Sequence, residues 1–253
     1  MSGHRKVFVS QERLMLDSVR LARQMYDKRY RPDTILGIWR GGTAVAIYVT
    51  GALKRLGVNH KHFSATGKSY NQGIENQSSV VNIYNMEELA KTLRETKCRR
   101  LCCVDDVFDT GITYDAFRRI VQEGLIRRLA SASHKIVDGE LRQIELEDAV
   151  KRGSEEYTVY DFEVRVNGGK YTLRIPMVDD IAPINADVNF AAPYQKSQKN
   201  RTDYKPKFCV YDWSIEGSPW INFPYELEAD DITDSELWDE RPEVAKILLG
   251  EAV

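Results

Sequence analysis

Residues 103–113 read CVDDVFDTGIT. The apolar run Arg100–Val107 carries two adjacent aspartates, Asp105 and Asp106, near its end, and Asp109-Thr110-Gly111-Ile112-Thr113 follows. The run reads as a buried strand, and Thr113 to about Gln122 as the helix after it. A strand end joined through a glycine turn to a helix N-terminus is an anion site, because unpaired N–H groups and the helix dipole face the ligand. Gly111 lets the backbone come close, and Thr110 and Thr113 add hydroxyl donors. Asp105 and Asp106 can accept hydrogen bonds from vicinal sugar hydroxyls or hold a divalent cation. One end suits a phosphate and the other a ribose, together a ribose 5-phosphate. A solvated acidic turn with Asp109 as N-cap would explain a lone D-T-G. The complete string, placed between strand and helix, argues for a site.

Upstream, Ser10 caps a helix running to about Tyr26, whose Leu14, Leu16, Val19, Ala22 and Met25 share a face. Thr34–Trp39 is a short apolar run fit for a buried parallel strand. Arg40-Gly41-Gly42-Thr43 turns the chain into a helix from about Ala44 to Arg55, closed by Gly57. His60–Ala65 is a second strand, Thr66–Ser79 a long polar loop, Val80–Tyr84 a strand and Met86–Glu95 a helix. Strands alternating with helices give an α/β fold with a mostly parallel sheet flanked by helices. Beyond Arg127 the pattern changes. Glu140–Arg152 is a candidate helix, and Tyr157–Val166 with Lys170–Pro176 flank Asn167-Gly168-Gly169 as a β-hairpin. Val188–Tyr194 is a further strand, and the tail from Glu226 is acidic, with a helix near Glu243–Leu249.

The 253 residues suffice for one large domain with an added subdomain. Lys and Arg number 36 against 38 Asp and Glu, so no net field draws the chain to nucleic acid or an anionic membrane. The longest uncharged stretch, roughly Gly41 to Leu53, is shorter than the ~20 residues of a membrane span. The N-terminus has no apolar leader segment, and the four cysteines show no C-x-x-C spacing. The expectation is a reduced, soluble, cytoplasmic protein.

The string CVDDVFDTGIT resembles the signature of the type I phosphoribosyltransferases, which binds phosphoribosyl pyrophosphate. The resemblance implies that Asp105 and Asp106 contact the ribose hydroxyls, directly or through Mg²⁺, and that Asp109, Thr110, Gly111, Ile112 and Thr113 cradle the 5-phosphate. In the purine members the residue at Asp109 is also the candidate general base. Trp39-Arg40-Gly41-Gly42-Thr43 looks like the family's pyrophosphate loop. Gly41 and Gly42 expose backbone N–H groups there, Arg40 adds a bidentate contact, and the Trp39–Arg40 peptide is a candidate for the cis form. Ser69-Tyr70 is similar to the Ser-Tyr pair of a loop that closes over the active site and excludes water.

For the base, Trp220–Glu226 (WINFPYE) resembles the W-I-x-F-P-W-E segment of xanthine- and guanine-type members, with Tyr225 in place of the second Trp. The resemblance implies that Trp220 stacks on the purine and that the backbone of Ile221 reads its polar edge. A lysine should hydrogen-bond the 6-oxo group. Lys196 is the first choice and Lys135 the alternative. With Lys196, residues 1–126 form the core, 127–187 an insertion containing the hairpin, and 188–253 the final core strand, a base-binding hood and the acidic tail. The expected activity is Mg²⁺-dependent purine phosphoribosyl transfer, with phosphoribosyl pyrophosphate and a purine base as partners and a homo-oligomer, a dimer, as the assembly. A phosphoribosyl pyrophosphate sensor, or a transferase with another nitrogen acceptor, are the alternatives.

Overall fold

The structure is a computed structural model describing residues 5–70, 77–84, 86–123, 134–137, 140–143, 159–167, 169–176, 186–228 and 231–250. In chain order its elements are β1 Lys6–Phe8, α1 Gln11–Asp27, β2 Thr34–Trp39, α2 Gly41–Arg55, β3 Lys61–Tyr70, β4 Gln77–Tyr84 and α3 Met86–Glu95. They continue with β5 Arg100–Val104, β6 Val107–Phe108, α4 Ile112–Glu123, β7 His134–Val137, β8 Glu140–Gln143, β9 Val159–Val166 and β10 Gly169–Pro176. The last are β11 Asp187–Gln195, β12 Phe208–Asp212, β13 Trp220–Asn222, α5 Asp234–Glu240 and α6 Pro242–Leu249.

One sheet runs in the order β12-β11-β5-β2-β3-β4-β10-β9, with β6 continuing beside β11. From β12 to β3 every pairing is parallel, so the mostly parallel sheet expected from the sequence is present. Strand β4 turns back antiparallel to β3, and β10 joins β4 in parallel through Thr172↔Val80. The expected β9–β10 hairpin forms, paired from Gly169↔Val166 to Pro176↔Val159.

Because side chains alternate along a strand, neighbouring residues feed opposite faces of the sheet. Ile35, Cys102 and Val104 pack with Leu14, Leu21, Met25, Val45 and Val49 of α1 and α2. Leu36, Leu101 and Cys103 pack with Leu89 and Leu93 of α3 and Phe117 of α4. The cysteines are free. Ser10 accepts from Arg13 N–H at 3.1 Å and caps α1 as read. On the buried side of α1, Asp17 accepts from Arg20 at 2.6 Å and from the Tyr194 hydroxyl at 2.9 Å, which ties α1 to β11 just before Lys196. No helix among the described residues is long and apolar enough to cross a membrane.

Four boundaries differ from the sequence reading. The strand at Arg100–Val107 breaks after Val104, because Asp105 Oδ1 takes the Asp106 N–H at 3.0 Å and Asp106 Oδ1 takes the Val107 N–H at 2.6 Å. Side-chain acceptors thus compete with the ladder. Helix α2 begins at Gly41, so the two glycines are its first turn. The polar stretch from Thr66 is strand to Tyr70 and again from Gln77, paired through Thr66↔Tyr84 and Gly67↔Ile83, since ladder bonds need no apolar side chain. Glu140–Gln143 is a strand antiparallel to His134–Val137 and not the start of a helix. The Asp138-Gly139 pair between them is a strong hairpin sequence that outweighs helical spacing. Residues 71–76 and 144–152 lie outside the described set.

Candidate active site

The aspartate turn opens at the C-terminal ends of the parallel strands, where α/β sheets place their ligands. The half-buried carboxylates of Asp105 and Asp106 are neighbours against the first turn of α2. A Cβ at Gly42 would strike the carbonyl oxygen of Val104 and come within 2.8 Å of Asp105 Cα. One at Gly41 would strike Asp106 Oδ2 and the Tyr225 hydroxyl. Only glycine lets the R-G-G turn close on the aspartates. Desolvation, followed by the charge of Asp106, pushes Asp105 well above the usual carboxylate range. Desolvation raises Asp106 too, while hydrogen bonds from Tyr225 and the Val107 N–H act against it. The Trp39–Arg40 peptide is cis, as expected.

Asp109 begins the second half of the site. Its Oδ2 lies 3.5 Å from Lys196 Nζ and 4.0 Å from Lys199 Nζ, and its buried Oδ1 has no hydrogen-bond partner among the described residues. Lys196 is 3% exposed, and its ammonium stands 5.6 Å from the centroid of the Trp220 ring. Burial pulls the Lys196 pKa down, opposed by the Asp109 charge. The lysine is set by its own backbone, whose N–H donates to Phe108 O at 2.8 Å. Gly111 has φ +78°, and a Cβ there would come within 2.6 Å of Thr202 Oγ1 and 2.7 Å of Asn200 Oδ1. The 197–203 segment thus packs on the aspartate turn, fastened by Arg201 N–H to Thr110 O at 2.9 Å. Ile112 is buried in the core, so its contribution to a ligand is limited to the backbone at the start of α4.

The hood is the β1–β13 pair with α5 and α6. Trp220 N–H donates to Arg5 O and Val9 N–H to Asn222 O, both at 2.9 Å. In a parallel ladder the intervening Ile221 peptide groups then point to the opposite edge, while the Ile221 side chain is buried. Arg40 is engaged with this hood. Its Nη1 donates to Glu228 Oε1 at 2.7 Å and its Nη2 to Asp231 Oδ2 at 2.9 Å, with Glu226 Oε1 at 3.7 Å. Glu226 Oε2 accepts the Phe223 N–H at 2.8 Å, and burial pushes its pKa up to about 8. Arg241 locks the segment, donating to Phe223 O and Glu226 O at 2.9 Å.

Asp105 and Asp106 offer oxygen ligands only, and burial beside one another disfavours their charge, a condition that a divalent cation relieves. Mg²⁺ is ordinarily held by one or two carboxylates, with waters and phosphate oxygens completing its shell. The pair fits that ion. Among the described residues no group of three or more His, Cys, Asp or Glu is arranged to hold a metal by itself.

The structure therefore brings Asp105, Asp106, Gly41 and Gly42 together, and Asp109, Lys196 and Trp220 together. The backbones of Ser69 and Tyr70 lie on β3, and their side chains are outside the described set. Lys135 stands on β7, in a two-stranded sheet separate from the main one. Sequence reasoning assigned no role to Tyr225, Glu226, Glu228 or Asp231. The signal for the first was its departure from the W-I-x-F-P-W-E pattern, and for the others the run of acids after it.

No protein-family model matches the chain, and no curated protein matches it in sequence. Solved structures of similar fold include a hypothetical protein from Neisseria gonorrhoeae with bound ppGpp, 14% identical, with a TM-score of 0.50, covering 98% of this chain and 99% of that one. A purine phosphoribosyltransferase from Pyrococcus horikoshii Ot3 is 17% identical, with a TM-score of 0.42, over 88% of this chain and 96% of that one. The Helicobacter pylori xanthine-guanine-hypoxanthine phosphoribosyltransferase is 14% identical, with a TM-score of 0.45, over 89% and 95%. At these identities the likeness is one of fold alone, a mostly parallel sheet flanked by helices.

Proposed function

We propose that the chain transfers the 5-phosphoribosyl group of phosphoribosyl pyrophosphate to a 6-oxopurine and releases pyrophosphate. One observation carries this reading. Lys196 is buried beside Asp109 and the Trp220 ring, at the end of the strand next to the aspartate pair. A buried ammonium donor, a carboxylate with a free buried oxygen and an indole face complement a flat ring that has an oxo acceptor and a ring N–H. Lys196 over Lys135, and the division into core 1–126, insertion 127–187 and hood 188–253, belong to this reading.

In it, the N–H groups of residues 110–113 hold the 5-phosphate and the aspartate pair holds the ribose hydroxyls. A ring nitrogen of the base attacks C1′ as the bond to pyrophosphate breaks, and the carboxylates face the positive charge that grows on the sugar. Asp109 takes the proton that the base gives up. Arg40 and the N–H groups of Gly41 and Gly42 hold the leaving pyrophosphate, and Ser69 and Tyr70 cover the sugar against water. Mg²⁺, held by Asp105 and Asp106, supplies charge neutralisation for the pyrophosphate when bound.

The test is pyrophosphate release by the full chain with phosphoribosyl pyrophosphate, Mg²⁺ and, in turn, xanthine, guanine, hypoxanthine and adenine. Turnover is expected with a 6-oxopurine and not with adenine. Asp105→Asn with Asp109→Asn should abolish it in a chain that stays folded, and retained turnover would overturn the assignment. A second reading, a nucleotide sensor on the same fold, is favoured by the ppGpp held by the N. gonorrhoeae protein of similar fold. A sensor would bind its ligand yet release no pyrophosphate with any base.

A further inference from the structure

Tyr225 stands where the hood crosses the aspartate turn. Its hydroxyl donates to Asp106 Oδ2, on the side of Asp106 that faces Gly41. The other carboxylate oxygen, Asp106 Oδ1, takes the Val107 N–H at 2.6 Å. One donor on each oxygen fixes the plane of the carboxylate and still leaves each oxygen a further lone pair. Tyr225 is fixed in its turn. Its ring stacks on Phe223 at 5.5 Å between centroids and 5° between planes, and Phe223 is 1% exposed. The Phe223 backbone is held at both ends, its N–H by Glu226 at 2.8 Å and its carbonyl by Arg241 at 2.9 Å.

Resting on the phosphoribosyl transfer reading, we infer that Tyr225 is a positioning residue of the sugar-phosphate half of the site. Its hydroxyl holds Asp106 in the orientation that the ribose hydroxyls, or a cation bridging to them, require. The chain of contacts runs from the hood through Tyr225 to Asp106 and on to the first turn of α2. The segment that contacts the base therefore also shapes the site for the diphosphosugar. A phenylalanine at 225 would keep the stack on Phe223 and lose only the donor. Asp106 would then keep a single N–H while lying beside Asp105, free to turn away from it.

Calorimetric binding of phosphoribosyl pyrophosphate with Mg²⁺ to the full chain, together with steady-state kinetics, tests the inference. Tyr225→Phe is expected to weaken binding, and to raise KM for phosphoribosyl pyrophosphate, by about tenfold, with KM for the base within about twofold. Tyr225→4-aminophenylalanine returns an N–H donor to the same place and should restore most of the affinity. Binding by Tyr225→Phe within twofold of the unaltered chain would overturn the inference, whatever the change in stability. So would an equal loss for the base, which would mean a merely structural hood. Should Tyr225→Phe not fold, the ¹³Cζ tyrosine resonance absent from the 4-aminophenylalanine variant is followed in the unaltered chain. It should move as phosphoribosyl pyrophosphate and Mg²⁺ are added, and a resonance unmoved at saturation would sink the inference. No binding at all by the unaltered chain would bring down the functional reading itself, a failure distinct from that of Tyr225.

Discussion

Lys196 Nζ and Asp109 Oδ2 lie 3.5 Å apart, and both side chains are buried, so each is the other's main compensation for leaving water. The distance is long for a hydrogen bond and short for a Coulombic pair, so the attraction between them is chiefly one of charge. Lys199 adds a weaker contact at 4.0 Å from the solvent side. Removing the ammonium alone leaves a buried carboxylate with that one distant partner. Lys196→Met should therefore cost about 2–3 kcal/mol in urea unfolding at neutral pH, and adding Asp109→Asn should recover at least half of it. Additive losses in the double variant would show that the two groups are not coupled.

Arg40 makes its contacts with Glu228 and Asp231, and a bound pyrophosphate would compete for the same guanidinium. The Glu228 side chain is exposed, so its pair contributes little to stability. Together the hood acids lower the local potential for an anion. Glu228→Gln with Asp231→Asn should tighten phosphoribosyl pyrophosphate binding by roughly 3–10-fold at low salt, with less effect at high salt as screening removes the difference. Unchanged affinity across salt would show that Arg40 does not exchange partners on binding.

How much of this was legible in the sequence depends on whether the signal was local. Gly41, Gly42 and the run from Asp105 to Thr113 stood out because a glycine turn between a strand end and a helix N-terminus is contiguous in the sequence. The neighbourhood of Lys196 and Asp109 was not legible locally, since the contact spans a helix and the whole hairpin region; the sequence offered only the spacing of Lys196 upstream of Trp220 against that of Lys135 after the helix following the aspartate turn. The Arg40 acids and the Tyr225–Asp106 bond were not legible. They join residues more than a hundred positions apart, and nothing in either segment alone names the other. Likewise, the end of β3 beyond Ala65 and the start of β4 before Val80 hid inside a polar stretch, because their pairing rests on backbone groups, which composition does not report.

Glu226 makes the pH dependence of stability specific. Burial holds its folded pKa at about 8, above the ordinary glutamate value of 4.5. A raised carboxylate pKa means that the folded chain binds a proton more tightly than the unfolded chain. Its contribution is therefore complete below about pH 4.5 and is lost as pH rises through 8. Relative to the unaltered chain, Glu226→Gln should gain stability between pH 5 and pH 9, on the order of 3 kcal/mol, while still accepting the Phe223 N–H. Thermal unfolding of both chains across that range checks the sign, and a difference that is flat with pH would refute it.

Gly41 and Gly42 stand side by side but fail differently when a methyl group is added. At Gly42 the obstacles are the Val104 carbonyl and the Asp105 Cα, which are backbone and have nowhere to go. At Gly41 they are the Asp106 carboxylate and the Tyr225 hydroxyl, ends of side chains that can rotate away. Gly42→Ala should thus be felt chiefly as stability, about 2–3 kcal/mol in urea unfolding, because β5 and α2 must separate. Gly41→Ala should unfold at nearly the same urea concentration as the unaltered chain. On the phosphoribosyl transfer reading it should nonetheless lose phosphoribosyl pyrophosphate affinity by about tenfold or more, because the carboxylate it displaces is one that this reading sets against the ribose. Equal losses of stability in the two variants would mean that the Asp106–Tyr225 contact is as unyielding as the backbone.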